Sequence, residues 1–487
     1  MLFSVIIIPM IVGLSIPLIK WKKRSHMEIF LETFVILNSL LVWAMILNEG
    51  VESFTLVRFV GDLSISFRLD GLAMVFAGLV SALWPFATLY AFEYMTKEEN
   101  ERVFFLFYTV TYGVTLGIAT AGNILTMYFF YELLTLVTVP LVMHTLTRKA
   151  ILASRKYLYF SIGGAAFAFI GMIFVIIYGV TADFVYGGVL EQLADGGRSN
   201  ALLLIYVLAF MGFGVKAAVC PFNSWLPDAG VAPTPVTALL HAVAVVKSGA
   251  FAIMRFTYYC FGVDYLKGTW AQYVVMAVTM VTIVYGCSMA VKETHFKRRL
   301  AYSTISNLSY ILFGVTIMTP FGLVGALSHL VMHAVMKICS FFCAGAVIHV
   351  TEREYITELD GLGYKMPQVF GIFTLSAFAL MGVPGLAGFV SKWNLAEAAV
   401  DSGMPLAYVG IACLLVSALL TAIYMMSVVI RAFFPGKDFD HKVNEGIKDP
   451  NWKMMLPLYV FVVFIVAFGI NSGSLVNFFV NIAQGLI

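Results

Sequence analysis

Four lysines of this chain sit inside apolar stretches long enough to cross a membrane: Lys216, Lys247, Lys337 and Lys392. One clear acid, Glu132, does the same within Phe-Phe-Tyr-Glu-Leu-Leu, and His241, His329 and His333 join the set. A charge at the membrane centre costs at least about 2.5–3.5 kcal/mol, so such residues mark ion pathways or proton relays. The spacing of His329, His333 and Lys337 is i, i+4, i+8, which lines them along one helix face. Imidazoles exchange protons near neutrality, and desolvation favours the neutral amine of a buried lysine. Together these types suit proton transfer along a line. A structural ion pair explains any one of them, Glu132 with Lys216 above all. It explains the whole set poorly, because every unpaired buried charge adds its own cost. His144 and His349 fall near span ends, and His295 falls in a basic loop, where an interfacial role suffices.

Two of the lysines stand beside predicted helix breaks. Lys216 precedes Cys-Pro-Phe-Asn-Ser-Trp-Leu-Pro, where Pro221 removes an amide donor. Lys392 follows Gly-Val-Pro-Gly-Leu-Ala-Gly, where Pro384, Gly385 and Gly388 interrupt the helix. Broken helices at membrane depth persist only where they line a cavity or are buried in protein. Paired breaks in two halves of a chain point to a transport site.

The elements that must position these residues follow from composition. Of 487 residues, 61% are hydrophobic and 12% charged, against about 25% charged in soluble domains. That excludes a soluble enzyme and a disordered or fibrous chain, and predicts an all-α polytopic membrane protein. Fourteen apolar segments of spanning length are expected, near 1–19, 28–47, 70–95, 103–121, 123–146, 157–180, 200–219, 233–259, 268–291, 300–318, 321–350, 367–400, 406–434 and 454–484. The first lacks the features of a cleaved signal and reads as a retained span. An alternating run, Phe54–Phe59 then Leu63–Phe67, predicts a small external β-hairpin, with Asp70 capping the helix that follows. The expected organisation is residues 1–102 (spans one to three), 103–259 and 268–434 (two inverted five-helix repeats, spans 4–8 and 9–13, with broken helices 7 and 12), and 435–487 (a cytoplasmic loop and the last span). On one side the loops carry 21 basic residues, Lys437 among them, and on the other five: Arg58, Arg68, Arg198, Arg255 and Lys267. The positive-inside rule makes the first side cytoplasmic and both termini external.

The net charge of +3 and the lack of a basic domain exclude nucleic-acid binding. The six cysteines form no CxxC pair, which argues against zinc, disulfide and iron–sulfur sites; Cys339 and Cys343 read as buried small hydrophobes. No cofactor or metal is expected in the chain. His329 and His333 on one helix face cannot clamp a haem iron from opposite sides. A passive scaffold would need no lysines in its core. Na⁺ is the alternative transported ion, with Thr135, Thr138, Ser303, Ser306 and Asn307 as candidate ligands, but hydroxyls in such helices usually bond their own backbone.

The motifs resemble a known family. Phe213-Gly-Val-Lys216-Ala with Pro221-Phe-Asn-Ser-Trp-Leu-Pro-Asp-Ala is similar to its seventh-span signature. Ala232-Pro-Thr-Pro-Val-Thr-Ala-Leu-Leu-His241, running on to Val246-Lys247-Ser-Gly, is similar to the eighth. Glu132, Lys297-Arg-Arg-Leu-Ala-Tyr-Ser303-Thr-Ile-Ser306, the His329/His333/Lys337 helix and Gly382-Val-Pro-Gly complete it. The family is that of the antiporter-like subunits of Mrp Na⁺/H⁺ antiporters, complex I (NADH:quinone oxidoreductase) and membrane-bound hydrogenases, and the match spans roughly residues 65–435. The resemblance implies a Glu132–Lys216 switching pair and Lys247 as the central proton carrier. His329, His333 and Lys337 would then pass protons onward, with Lys392 at the far exit. It implies a proton-translocating or Na⁺/H⁺ antiporter subunit without a redox or hydrolytic centre of its own; the alternative is the ion-pumping subunit of a redox-driven complex. Expected partners are other membrane subunits, further antiporter-like chains among them, and iron–sulfur subunits on the alternative reading. The expected location is a prokaryotic cytoplasmic membrane. Lysine at position 392 and the lack of a lateral helix after residue 484 favour the D-type Mrp subunit, its hydrogenase counterpart or a complex I paralogue of similar size. Gly385 departs from the family, where a second proline is common.

Overall fold

Long Leu-, Ile-, Val- and Phe-rich runs leave the backbone no water to bond with, so it satisfies itself as helix. A computed structural model describes residues 1–48, 51–59, 61, 63–190, 198–436 and 439–487. Lys437, counted with the basic side, lies outside the described residues. The N-terminal helices are α1 (Leu2–Ser15), α2 (Arg24–Leu47), α3 (Gly71–Tyr94) and α4 (Glu101–Ala119). Next come α5 (Ile124–Val142), α6 (Arg148–Tyr178), α7 (Asn200–Lys216), the single turn α8 (Trp225–Asp228), α9 (Thr234–Ala242), α10 (Val245–Arg255) and the short α11 (Val263–Leu266). The remainder are α12 (Trp270–Lys292), α13 (Phe296–Ile317), α14 (Pro320–Thr351), α15 (Pro367–Met381), α16 (Ala387–Asp401), α17 (Pro405–Phe433), α18 (Trp452–Ile470) and α19 (Gly473–Ala483). Among the described residues, 11 helical segments are long and apolar enough to cross a membrane. The chain is a multi-pass membrane protein.

The expected hairpin is present: β1 (Phe54–Arg58) pairs antiparallel with β2 (Ser64–Phe67), Phe54 opposite Phe67. Asp70 caps α3 by accepting from the Ala73 amide at 3.0 Å.

Three expectations are corrected. The segment 233–259 is not one continuous helix: it splits between α9 and α10 at Val243–Ala244, then ends in a π-helical turn, Phe256–Phe261. Neither junction residue is Pro or Gly, so no local signal announced the break. Conversely, the expected broken helix 7 is a helix end: α7 stops at Lys216, short of Pro221, and only the turn α8 follows. The last segment, 454–484, is two helices, α18 and α19, parted at Asn471–Ser472. The other expected break falls where predicted, with Pro384 and Gly385 between α15 and α16 and Gly382 and Gly385 at φ +95° and +84°.

The core follows α14. Its middle, from Gly322 to Val347, is buried along its whole length, and α3, α9, α13, α15, α16, α18 and α19 pack around it. This is the helix that carries His329, His333 and Lys337.

Candidate functional site: a buried line of lysines and histidines

Glu132 and Lys216 come from α5 and α7. Their closest approach, Lys216 Nζ to Glu132 Oε1, is 3.8 Å; the Glu132 side chain is 28% exposed and that of Lys216 1%. The pair is loose. Among the described residues Glu132 Oε1 has no hydrogen-bond partner, while the ammonium donates to the Tyr131 carbonyl and lies over the Tyr131 ring at 3.3 Å. Lys216 is the last residue of α7, where a cation complements the unpaired carbonyls of a helix end.

Lys247 stands in the first turn of α10 and is fully buried. α10 reaches the end of α7 because residue 249 is glycine. A Cβ there would lie 2.6 Å from the Ala217 nitrogen and 3.1 Å from Lys216 Cβ, closer than atoms pack. The two lysine-bearing elements therefore touch through bare backbone.

From Lys247 the contacts run across to α14. Lys247 Nζ lies 2.9 Å from His333 Nδ1. The His333 and His329 rings stack with centroids 5.6 Å apart, as their i, i+4 spacing requires. His329 Nδ1 meets Ser391 Oγ at 2.9 Å, one residue before Lys392 on α16. The Tyr310 ring bridges the same gap, 5.1 Å from His329 and 5.5 Å from the Lys392 ammonium. Lys392 donates to the carbonyls of Leu380 and Met381 at 2.7 and 3.1 Å. Those are orphan acceptors at the end of α15, so the break at Pro384 gives this lysine its seat.

Lys337 shares the α14 stripe but leaves the direct run. Its ammonium donates to Ser303 Oγ at 2.7 Å, and Ser303 meets Tyr424 Oη at 2.7 Å. His241 is buried against the Phe341 ring at 4.8 Å, and among the described residues neither of its nitrogens has a hydrogen-bond partner, Lys247 included. His329 Nε2, His333 Nε2 and Ser248 Oγ are likewise buried and unpaired. Of the oxygens considered as Na⁺ ligands, Thr138 is engaged with Leu134 O and Tyr157 Oη, Ser303 with Lys337 and Ser306 with Ser417; Asn307 donates its Nδ2 to Ser303 O, and its Oδ1 and Thr135 Oγ1 are buried without a partner among the described residues.

Sequence reasoning missed Ser391, Tyr310 and Tyr131, since single hydroxyl residues in apolar runs do not stand out from ordinary core; Ser303, expected as a candidate Na⁺ ligand, accepts from Lys337 instead. It also misplaced Arg255, counted above with an external loop. Arg255 is fully buried and paired with Asp70 through two contacts of 2.6 Å, and Asp70 takes Arg68 at 3.1 Å as well. The apolar run continuing past Arg255 to Phe261 was the available signal. Glu132 is not the only acid within a span either, since α2 carries Glu32.

Comparisons with known proteins bear on the family and the fold. Residues 121–421 match the family described as "NADH:quinone oxidoreductase/Mrp antiporter, TM", and residues 59–105 match "NADH-Ubiquinone oxidoreductase (complex I), chain 5 N-terminus". The chain is 30% identical over 438 residues to the A/B-type component of a probable K⁺/H⁺ antiporter of Rhizobium meliloti, covering 88% of this chain but 42% of that protein. It is 29% identical over 424 residues to "NADH-quinone oxidoreductase subunit N" of Desulforudis audaxviator, covering 84% and 82% respectively. In fold it is similar to a chain of the Mrp complex from Dietzia sp. DQ12-45-1b, with a TM-score of 0.85 at 21% identity over 100% of this chain and 97% of that one.

Proposed function

The chain belongs to the NADH:quinone oxidoreductase/Mrp antiporter transmembrane family, and from that premise we propose that it is a proton-translocating membrane subunit of a larger complex. One observation carries the reading. Groups in contact or within one stacking distance run from Lys247 through His333 and His329 to Ser391, and the Tyr310 ring lies between His329 and the half-buried Lys392, the next residue after Ser391. Where α7 and α10 meet, that run abuts the Glu132–Lys216 pair.

The pair is the switch. Glu132 keeps 28% of its side chain exposed on the flank of the isolated chain, and a carboxylate at membrane depth is not left facing lipid. A neighbouring subunit covers it. A charge arriving there draws Glu132 from a contact that is already long. Lys216 then stands uncompensated, and repulsion between ammonium groups in a low-dielectric interior drives the proton on Lys247 towards His333, 2.9 Å away. His329 and Ser391 hand it to Lys392. Lys337, seated on Ser303, is a side store that shares the α14 face. H⁺ is the transported ion; exchange for Na⁺ belongs to the assembled complex. No cofactor is assigned to the chain.

The same reading takes the helices as fourteen spans with external termini. The 11 long segments are joined by α1, α7 and the α15–α16 pair. An inverted repeat of spans 4–8 and 9–13 is supported by the third helix of each half, α6 and α14, at 31 and 32 residues. The location is a prokaryotic cytoplasmic membrane, and the partners are further antiporter-like membrane subunits.

The test is transport in inverted vesicles by complexes carrying Lys247→Ala or Glu132→Ala, with assembly checked on native gels. Loss of proton movement with assembly intact is expected; retention would make the chain a scaffold. The visible spectrum of the purified native complex separates the two settings. A colourless assembly fits a secondary antiporter, whereas iron–sulfur absorbance fits a redox-driven pump.

A further inference from the structure

Helices α2, α3 and α4 carry none of the residues of this line, yet they hold a carboxyl group at membrane depth. Glu32 lies eight residues beyond Arg24 in α2, about 12 Å along the helix axis. It is half-buried beside the packed face that includes Glu28, Val35, Ser39 and Val42. One turn nearer the helix end, Glu28 pairs with Arg24 at 3.2 Å and with Lys453 at 2.8 Å, and Glu101 takes Arg24 at 2.7 Å. Those ionic needs are met. Glu32 has no such partner: among the described residues it makes no ion pair, and its Oε2 is buried without a hydrogen bond.

The groups around Glu32 are neutral and have hydrogen-bonding capacity to spare. Tyr108 on α4 and Trp84 on α3 are fully buried, with the phenol oxygen and the indole N–H both unpartnered. Their rings pack 5.4 Å apart, and the Arg24–Glu101 and Ser39–Tyr112 contacts between α2 and α4 set Tyr108 near the level of Glu32. A turn deeper, Tyr112 is occupied by Ser39 at 2.8 Å, and Thr88 spends its hydroxyl on the Trp84 carbonyl. At this end Arg24, Glu28, Glu101 and Lys453 are committed to one another, and Lys23, His26 and Arg102, in or beside the first turns of α2 and α4, make no ion pair with Glu32 among the described residues. An ionised Glu32 would therefore be an uncompensated charge in a packed three-helix interface, the costliest arrangement for a carboxylate. A protonated one brings no charge into the interface and still offers its carbonyl oxygen as an acceptor to the unpartnered Tyr108 and Trp84 donors.

We propose that Glu32 is a second proton-binding site of this chain, separate from the Glu/Lys/His line. It holds a proton at neutral pH and exchanges it with water through the Arg24–Glu28–Lys453 cluster at the helix end. The inference stands whether or not the line translocates protons.

Infrared difference spectra of the native complex test it. A neutral-carboxyl C=O absorption, shifted in D₂O, is expected at neutral pH in the wild type and in Glu132→Gln, and is lost in Glu32→Gln. Coincident wild-type and Glu32→Gln spectra would overturn the proposal. If Glu32→Gln fails to assemble, the wild type decides. Dicyclohexylcarbodiimide modifies protonated carboxyls in apolar surroundings, and peptide mass spectrometry is expected to find its adduct on Glu32. No adduct there down to mildly acidic pH, or an adduct that forms only after Na⁺ and K⁺ are removed, would show an ionised carboxylate or a bound metal cation instead.

Discussion

Gly249→Ala is the smallest change that tests the line. The added methyl would sit 2.6 Å from the Ala217 nitrogen and 3.0 Å from the Lys216 carbonyl carbon. Carbon atoms pack at about 3.5–4.0 Å, so α10 must retreat from the end of α7 by roughly 1 Å. The blocking atoms are backbone and cannot rotate aside. Overpacking of this kind costs about 1–3 kcal/mol, offset in part by the roughly 1 kcal/mol by which alanine outranks glycine in a helix. Folding and assembly should survive. Transfer should not, because Lys247 rides on the same turn and loses register with Lys216; a ~1 Å misplacement of reacting groups can cost about a hundredfold. The assay is dye-quenching proton transport in inverted vesicles, normalised to assembled complex. Gly163→Ala is the control, since nothing lies within 4 Å of its added carbon. Wild-type transport by Gly249→Ala at wild-type assembly would refute the idea that α7 and α10 must touch for the switch to reach Lys247.

Other outcomes follow from the same contacts. His333→Ala removes the partner of Lys247 at 2.9 Å; a hydrogen bond to a charged group is worth about 1.5–3 kcal/mol, so transport should fall by one to two decades while assembly persists. Arg255→Leu leaves Asp70 with only Arg68, at 3.1 Å, and should lower the complex's thermal stability by about 3 kcal/mol, the low end for a broken buried pair. Adding Asp70→Asn should restore most of that loss, and a strictly additive double mutant would contradict the pairing. Outside the spans, a hydrogen bond and ion pair with His295 hold the Glu354 carboxyl below the usual carboxylate range. Its small contribution is complete above its unfolded-state value and is lost as pH falls through the folded one. Thermal melts of Glu354→Gln should therefore lack the acid-side decline that this pair gives the wild type.

The class of the protein was legible in the sequence because membrane burial leaves a one-dimensional mark. Apolar runs must match the bilayer in length, and a charge inside such a run has no local excuse. That is why Lys216, Lys247, Lys337, Lys392, Glu132 and the α14 histidines were identifiable, together with the break at Pro384–Gly385 and the Asp70 cap. Local chemistry writes those signals. The α9–α10 break at Val243–Ala244 has no such origin and followed only from packing against neighbouring helices. The order of the line is likewise tertiary. Along α14 the residues read His329, His333, Lys337, yet in space His333 takes Lys247, His329 leads to Lys392 and Lys337 turns aside to Ser303. Arg255 and Glu32 make the same point from opposite sides. Sequence shows a charge in an apolar run, but only the fold decides whether an opposite charge faces it. Arg255 meets Asp70 from 185 residues away, and Glu32 meets no cation among the described residues, because pairing depends on which helix faces pack and not on the order of residues along the chain.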